Sequence, residues 1–399
     1  MKLSTLLAVL PLAAASPIEQ RSEPAPLLVP RGATAESLIP DNYIVKFKEG
    51  SALSILEDAM KLLPAGHGVE KIQSIFKGFS GKLNAATLKL IRNHPDVEYV
   101  EQNQMFRTDG YVTQNNAAWG LARISHNNPG YNNYIYDDSA GTGTCAYVVD
   151  SGIDVKHVEF GGRATMVASY IGNYADTCGH GTHVAGTIGG TTYGVAKKTS
   201  LYGIKVLAYN ANTGRCEGPN DGIIRGLEYV ATDAARRNCP KGVVVNMSLG
   251  GDYSKASNDA VAALVRKGFF VAVAAGNGDI YQNPIDTRYV SPASEPLACT
   301  VAASDSSDRI ASFSNYGSAV DIIGPGVGVV SARTGGGTVS MSGTSMATPH
   351  VAGLGAYMLS FGVGTSGLCE YLQRGALSNR ISGVRSGTKN LLAQNGAYA

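Results

Sequence analysis

The stretch GTCAYVVD, Gly143 to Asp150, decides the fold. Its apolar residues follow one another without alternation and end on a carboxylate. An uninterrupted apolar run of this length reads as a strand buried on both faces, and such strands belong to parallel sheets covered by helices. Working outward, SLYGIKVLA (Ser200–Ala208), GVVVNMSLGG (Gly242–Gly251) and FFVAVAAGN (Phe269–Asn277) repeat the pattern. Between them lie helical patterns: GHGTHVAGTIGG from Gly179, NDGIIRGLEYVATDAARRN from Asn220 and NDAVAALVRKG from Asn258. From about Ala117 onward the chain therefore reads as α/β, a doubly wound parallel sheet.

The region before it reads differently. NYIVKFKEG, IFKGFSGKL and DVEYVEQ look like strands, and SALSILEDAMKLL and AATLKLIRNH like helices. Together they predict a small α+β domain from about Asp41 to Gln104. SPIEQRSEPAPLLVPRG reads as a linker before this domain, and RTDGYVTQNN as an exposed link after it. The start, MKLSTLLAVLPLAAAS, has a lysine, a short apolar run and small residues. It reads as a secretory signal peptide over residues 1–15, too short to span a membrane.

The chain has 399 residues, 44% hydrophobic and 16% charged, with a formal net charge of +2. This is ample material for a large core. The near-neutral charge argues against a nucleic-acid partner, and no later run predicts a membrane span. Lys197-Lys198 reads as solvated surface. All six cysteines (Cys145, Cys178, Cys216, Cys239, Cys299, Cys369) follow residue 140, and in a secreted chain they allow three disulfides in 15 connectivities.

In open α/β sheets, sites form beyond the carboxyl ends of the strands. Asp150 and Asn277 end two strands. His180 opens one helix, and Ser345 opens another in SGTSMATPHVAG (Ser342–Gly353). Taken singly, each has a commoner structural explanation, such as an N-cap for the serine. Taken together they fill four roles. A serine nucleophile needs an adjacent base, imidazole supplies it, and a buried carboxylate orients the imidazole. An asparagine amide and a backbone N–H at a helix start can stabilise an oxyanion. Pro349 is expected in the first turn of that helix, where a missing N–H costs little. Two other readings are weighed: an inert binding protein on the same fold, and a nucleotide-binding enzyme. Against the latter, the GTGT at Gly141 precedes its strand instead of following it.

VVDSGID, GHGTHVAGT, AAGN and SGTSMATPHVAG resemble the four signature segments of subtilisin-like serine proteases. WGLARIS, YGVAKK, NCPKGVV, SPASEP and SFSNYGS narrow the resemblance to the fungal proteinase K group. The front domain, with YIVKFKEG and HPDVEYVEQ, resembles the inhibitory propeptide of that family. The resemblance implies a propeptide over residues 16–111, removed by self-cleavage near Tyr111–Val112, and a catalytic domain over 112–399. It implies Asp150, His180 and Ser345 as the triad, with Asn277 in the oxyanion hole, and leaves His183 and His350 as structural or surface residues. An extended peptide would add beside Ser248, Leu249 and Gly250, with Cys216–Asn220 loosely placed on the other flank. Gly250 and Gly276 would leave room for an aromatic or aliphatic P1 side chain.

The resemblance also implies the disulfides Cys145–Cys239 and Cys299–Cys369. Cys178 and Cys216 depart from the proteinase K pattern; pairing between them is expected, as in aqualysin-type enzymes. Val184 stands where many relatives carry a free cysteine, which implies weak sensitivity to thiol reagents. One structural Ca²⁺ is expected, held by Asp321 with the carbonyls of Pro296 and Ala298. A second site is not expected, because Arg380 stands where its carboxylate would be. The expected whole is a secreted, monomeric serine endopeptidase, with protein substrates and its own propeptide as inhibitor. The sequon at Asn246 falls in a predicted buried strand and is not expected to be used.

Overall fold

In a computed structural model of the chain, the residues described are 21–30, 38–61, 69–104 and 110–397. The expected signal peptide lies outside them. The chain divides into two compact units at Thr108/Asp109.

In the first unit a five-stranded sheet runs in the order Leu27–Leu28, Val97–Gln104, Leu38–Phe47, Gly78–Lys82, Glu70–Ile72. Two helices, Leu53–Lys61 and Ala85–Arg92, accompany it. Val45, Phe47, Leu56, Phe79, Ile91 and Val100 form its core. Asn84 caps the second helix by accepting the Thr87 N–H at 2.9 Å. The stretch read as a linker is in part an edge strand. Leu27 and Leu28 pair in parallel with Val100 and Glu101, and Ala25 is fully buried.

The second unit is built on a nine-stranded sheet. In chain order its strands are β1 (Thr144–Asp150), β2 (Ala164–Ser169), β3 (Ser200–Lys205), β4 (Gly242–Met247), β5 (Phe270–Ala274), β6 (Cys299–Ser304), β7 (Ile322–Pro325), β8 (Leu377–Ser378) and β9 (Leu391–Leu392). Their spatial order is β8-β9-β7-β6-β5-β4-β1-β3-β2, parallel throughout except for the pair β8/β9. Every residue of β1 is buried, as its unbroken apolar run requires. The main helices are α1 (His180–Gly189), α2 (Asn220–Asp233), α3 (Lys255–Arg266) and α4 (Thr344–Ser360). Tyr111–Gln114, read as a link, is a strand paired with Tyr134–Asp137.

Helix α4 packs against α1 and against β1, β4, β5, β6 and β7. It is apolar on nearly all sides, as a helix surrounded by protein must be. Its glycines set the approach: a Cβ on Gly355 would lie 2.6 Å from the Phe270 ring. Pro349 is the sixth residue of this helix, not part of its first turn. A proline there leaves the carbonyl four residues back without its helical donor. That carbonyl belongs to Ser345, and the Ser248 hydroxyl donates to it at 2.8 Å. The proline thus exports one backbone bond of α4 to the end of β4.

Lys197 is also not free at the surface. Its ammonium lies 5.5 and 5.1 Å from the ring centres of Tyr134 and Tyr136 and donates to Thr191 O. Burial lowers its pKa to about 7.

Candidate active site

The expected residues sit at the ends of β1, β4 and β5 and the starts of α1 and α4, and bonds join them in two pairs: Asp150 with His180, and Asn277 with the start of α4. Asp150 closes β1 and is fully buried. Its Oδ1 accepts the Ser151 N–H at 2.7 Å and lies 2.8 Å from His180 Nδ1. His180 is the first residue of α1, with 24% of its side chain exposed. Burial opposes its protonation. The charge and hydrogen bond of Asp150, with Asp176 behind it, outweigh burial and raise its pKa above the ordinary value.

Asp176 was not read from the sequence. It is buried and takes the Cys178, Gly179 and Thr182 N–H groups at 3.1, 2.8 and 3.0 Å, so it caps α1. It also accepts the hydroxyls of Ser151 (2.8 Å) and Thr182 (2.6 Å). An acidic residue four positions before His180 was the available signal, since carboxylates favour helix N-termini.

On the other side, Ser345 is the second residue of α4, where a backbone N–H has no helical acceptor. Its hydroxyl donates to the Ser248 carbonyl at 3.1 Å in this structure, not to His180. Such bonds often tighten only once substrate is bound. The Asn277 Oδ1 accepts the Thr344 N–H (2.8 Å) and hydroxyl (2.9 Å), which fixes the amide and leaves Nδ2 as its free donor. A Cβ built on Gly343 would lie 3.4 Å from Asn277 Nδ2 and 3.5 Å from Ser345 N. Both nitrogens therefore lie within 3.5 Å of one point.

Gly250 and Gly276 also converge. A Cβ on Gly250 would lie 3.4 Å from Val290 Cγ1, and one on Gly276 would lie 3.5 Å from the same atom. Val290 was missed in the sequence; it pairs with Asp252 beside the glycines. Asn315 holds the Gly276 loop, with its N–H on Gly276 O and its Oδ1 accepting from Gly278 and Ile285. Ser248 is buried at the end of β4 and Leu249 half-buried beyond it. Cys216 sits in a short hairpin strand, Arg215–Glu217, whereas Asn220 already opens α2.

His183 and His350 are fully buried and bonded to the carbonyls of Val329 and Met346 at 2.9 and 2.8 Å. Burial lowers the pKa of each to about 4. Asn246 is buried too, and its amide donates to the Ser248 hydroxyl. The disulfides are Cys145–Cys239, Cys178–Cys216 and Cys299–Cys369, which leaves no free thiol.

The residues expected to hold calcium can be tested for fit. Pro296, Ala298 and Asp321 line one cavity of about 410 Å³. A carboxylate with two carbonyls is a donor set that suits Ca²⁺. However, Asp321 already carries a cation: Lys389 Nζ lies 2.7 Å from its Oδ1, and Oδ2 accepts the Thr300 N–H at 3.0 Å. Cys299 and Cys369, which lie close to Asp321, are bonded to each other and offer no thiolate.

A carboxylate, an imidazole, a helix-borne serine and an amide around the ends of a parallel sheet are the equipment of a serine hydrolase. Comparison with known proteins gives the family. The Subtilase family model matches residues 141–366, and the Peptidase inhibitor I9 model matches residues 42–109. Proteinase R of Parengyodontium album is 50% identical over 99% of both chains. A cuticle-degrading protease of Metarhizium anisopliae is 50% identical over 100% of both. A crystal structure of a cold adapted subtilisin-like serine proteinase superposes with a TM-score of 0.64 at 41% identity, covering 70% of this chain and 98% of that one. The chain belongs to the subtilase family of serine proteases. It is a serine endopeptidase preceded by an inhibitor-type propeptide domain.

Proposed function

We propose that this chain is a secreted, self-processing endopeptidase of broad specificity that works through an acyl-enzyme on Ser345. His180 takes the proton of the Ser345 hydroxyl as the oxygen attacks the scissile carbonyl. Asp150 holds the imidazole and stabilises its charged form. Asn277 Nδ2 and the Ser345 N–H receive the oxyanion. His180 then gives its proton to the leaving amine, and water, activated by the same base, frees the acid. The substrate adds as a strand along Ser248–Gly250, with its P1 side chain between Gly250 and Gly276 against Val290.

One observation supports this reading above the others: His180 Nδ1 lies 2.8 Å from the buried Asp150 Oδ1, the arrangement a general base for a serine requires. A fluorophosphonate should label the mature enzyme stoichiometrically. Ser345→Ala should abolish labelling and lower turnover on the order of 10⁶-fold. An unlabelled wild type would sink the proposal. Peptide-library cleavage should favour aromatic and aliphatic P1 residues.

Self-cleavage at Tyr111–Val112 would leave Val112 first in the mature chain, within the hairpin to Tyr134–Asp137. N-terminal sequencing of the secreted protein checks both the site and the secretion. The mature enzyme is read as a monomer. Calcium at Asp321, with Pro296 and Ala298, would serve stability alone.

A further inference from the structure

Lys205 ends β3, and its Cα lies in register with Asp150 across the parallel pairing to β1. It is 1% exposed. A lysine is seldom buried to this degree, because removing its charge from water costs several kcal/mol unless it is offset. Its ammonium donates to two backbone carbonyls, Ser151 O and Leu207 O, each at 2.7 Å. Both belong to the strand ends that carry the triad carboxylate, since Val206 and Leu207 donate their N–H groups to Asp150 O at 2.7 and 3.2 Å.

Two neutral carbonyls do not balance a cation. Burial lowers the Lys205 pKa, and the charges of Asp176 and Asp150 act against that fall. Both carboxylates are tied to Ser151, whose carbonyl takes the ammonium: Asp150 accepts its N–H at 2.7 Å and Asp176 its hydroxyl at 2.8 Å. On α1, His180 is bonded to Asp150, and His183 is kept neutral by burial. Asp154, on the loop after β1, is turned to the Gly335 N–H instead. With His180 neutral, Asp150 and Asp176 together carry two negative charges against one positive. When His180 takes the serine proton, the cluster becomes neutral.

We propose that Lys205 is a positioning residue for the catalytic pair: its buried ammonium, tied to the strand ends that carry Asp150, sets a positive charge against the carboxylates of Asp150 and Asp176 and so weakens their hold on a proton at His180. The proposal rests on the triad assignment above. Removing the ammonium leaves two carboxylates uncompensated, and His180 then holds its proton more tightly. The acid limb of kcat/KM, set by protonation of His180, therefore moves to higher pH. Losing one buried unit charge near the pair is expected to move the limb by on the order of 0.5–1 pH unit.

The test is the pH profile of kcat/KM for mature Lys205→Met and Lys205→Arg on a short peptide substrate, with competent sites counted by fluorophosphonate titration. Lys205→Met should move the limb up by about 0.5–1 unit, whereas Lys205→Arg, which keeps the charge, should leave it in place. If Lys205→Met melts earlier but its limb coincides with wild type, the ammonium only ties Ser151 to Leu207 and the proposal is overturned. If Lys205→Met does not fold, Lys205→Gln, which keeps a donor for the two carbonyls but not the charge, decides. It should move the limb up by the same amount, and an unmoved limb overturns the proposal equally. Site titration keeps these outcomes apart from failure of the triad itself, which would show as absent labelling in the wild type.

Discussion

Around His180 the groups that hold the site are charged and buried, whereas around Ser345 they are neutral. On the first side Asp150 grips the imidazole, Asp176 caps the helix beneath it, and Lys205 lies one strand away. On the second, Thr344 fixes Asn277, and Ser248 exchanges two hydrogen bonds with Ser345. The difference follows the chemistry. In the mechanism proposed above, His180 gains and loses a proton in each cycle, so its surroundings must favour one charge state by a controlled amount, which fixed charges can do. The negative charge near Ser345 exists only transiently and on the substrate. Fixed dipoles stabilise it without the cost of a second buried ion.

The largest effect that tests this contrast lies on the neutral side. Asn277→Ala should lower kcat on the order of 10²–10³-fold, with little change in KM or thermal stability. Gly343→Ala probes the same point by occupation, because its methyl would stand within 3.5 Å of both donors. A fall in kcat of about 10–100-fold is expected, the scale on which small misplacements act. Should Gly343→Ala leave kcat unchanged, the two donors do not serve one oxygen, and the neutral side needs another explanation.

On the charged side, Cys178 lies two residues before His180 and pairs with Cys216 across 38 residues of chain. Bridging a loop of that length contributes about 3–4 kcal/mol in the chain-entropy account. Cys178→Ala with Cys216→Ala should therefore lower the melting temperature strongly. The acid limb should stay in place if the charges, not the bridge, set the pKa of His180. Ser248→Ala is expected to be milder. It takes the partner from the Ser345 carbonyl that Pro349 leaves open, at about 1–2 kcal/mol. Differential scanning calorimetry of both variants should rank them in that order; the reverse ranking breaks this account of α4.

The fold was legible because the proposed site residues sit on elements with strong signals. The unbroken apolar run of β1 announced a buried strand, and its terminal carboxylate fell where open sheets place their sites. What stayed hidden depends on partners distant in sequence. Pro349 was read as part of the first turn because the string does not show that α4 begins at Thr344, and the answering hydroxyl of Ser248 lies 97 residues away. Leu27–Leu28 looked like linker because prolines flank a strand of two residues, which only the register against Val100 reveals. Tyr111–Gln114 read as a link because its partner strand begins at Tyr134. Lys205 has no signature at all. SLYGIKVLA reads as a buried strand, and what its lysine meets shows only once β1 and β2 are placed on either side of it.

The smallest expected effect contrasts Lys205 with a second lysine–aspartate cluster. Lys389 meets Asp321 at 2.7 Å, with 43% and 15% of their side chains exposed. Burial pushes the Asp321 carboxyl up, and the Lys389 ammonium and Thr300 N–H pull it back. Partly solvated pairs contribute at most about 1 kcal/mol, so this ammonium offsets Asp321 only weakly and can yield to a divalent ion. Two cations cannot share Oδ1 without repulsion, so calcium binding must displace Lys389 from it. Lys389→Ala should then bind Ca²⁺ more tightly in calorimetric titration and lose more thermal stability on chelation than the wild type. Equal calcium affinity in the two proteins would mean that the ion does not use Asp321. The contrast would then be between two lysines that each serve only their own carboxylates, one sealed in the site and one at the rim.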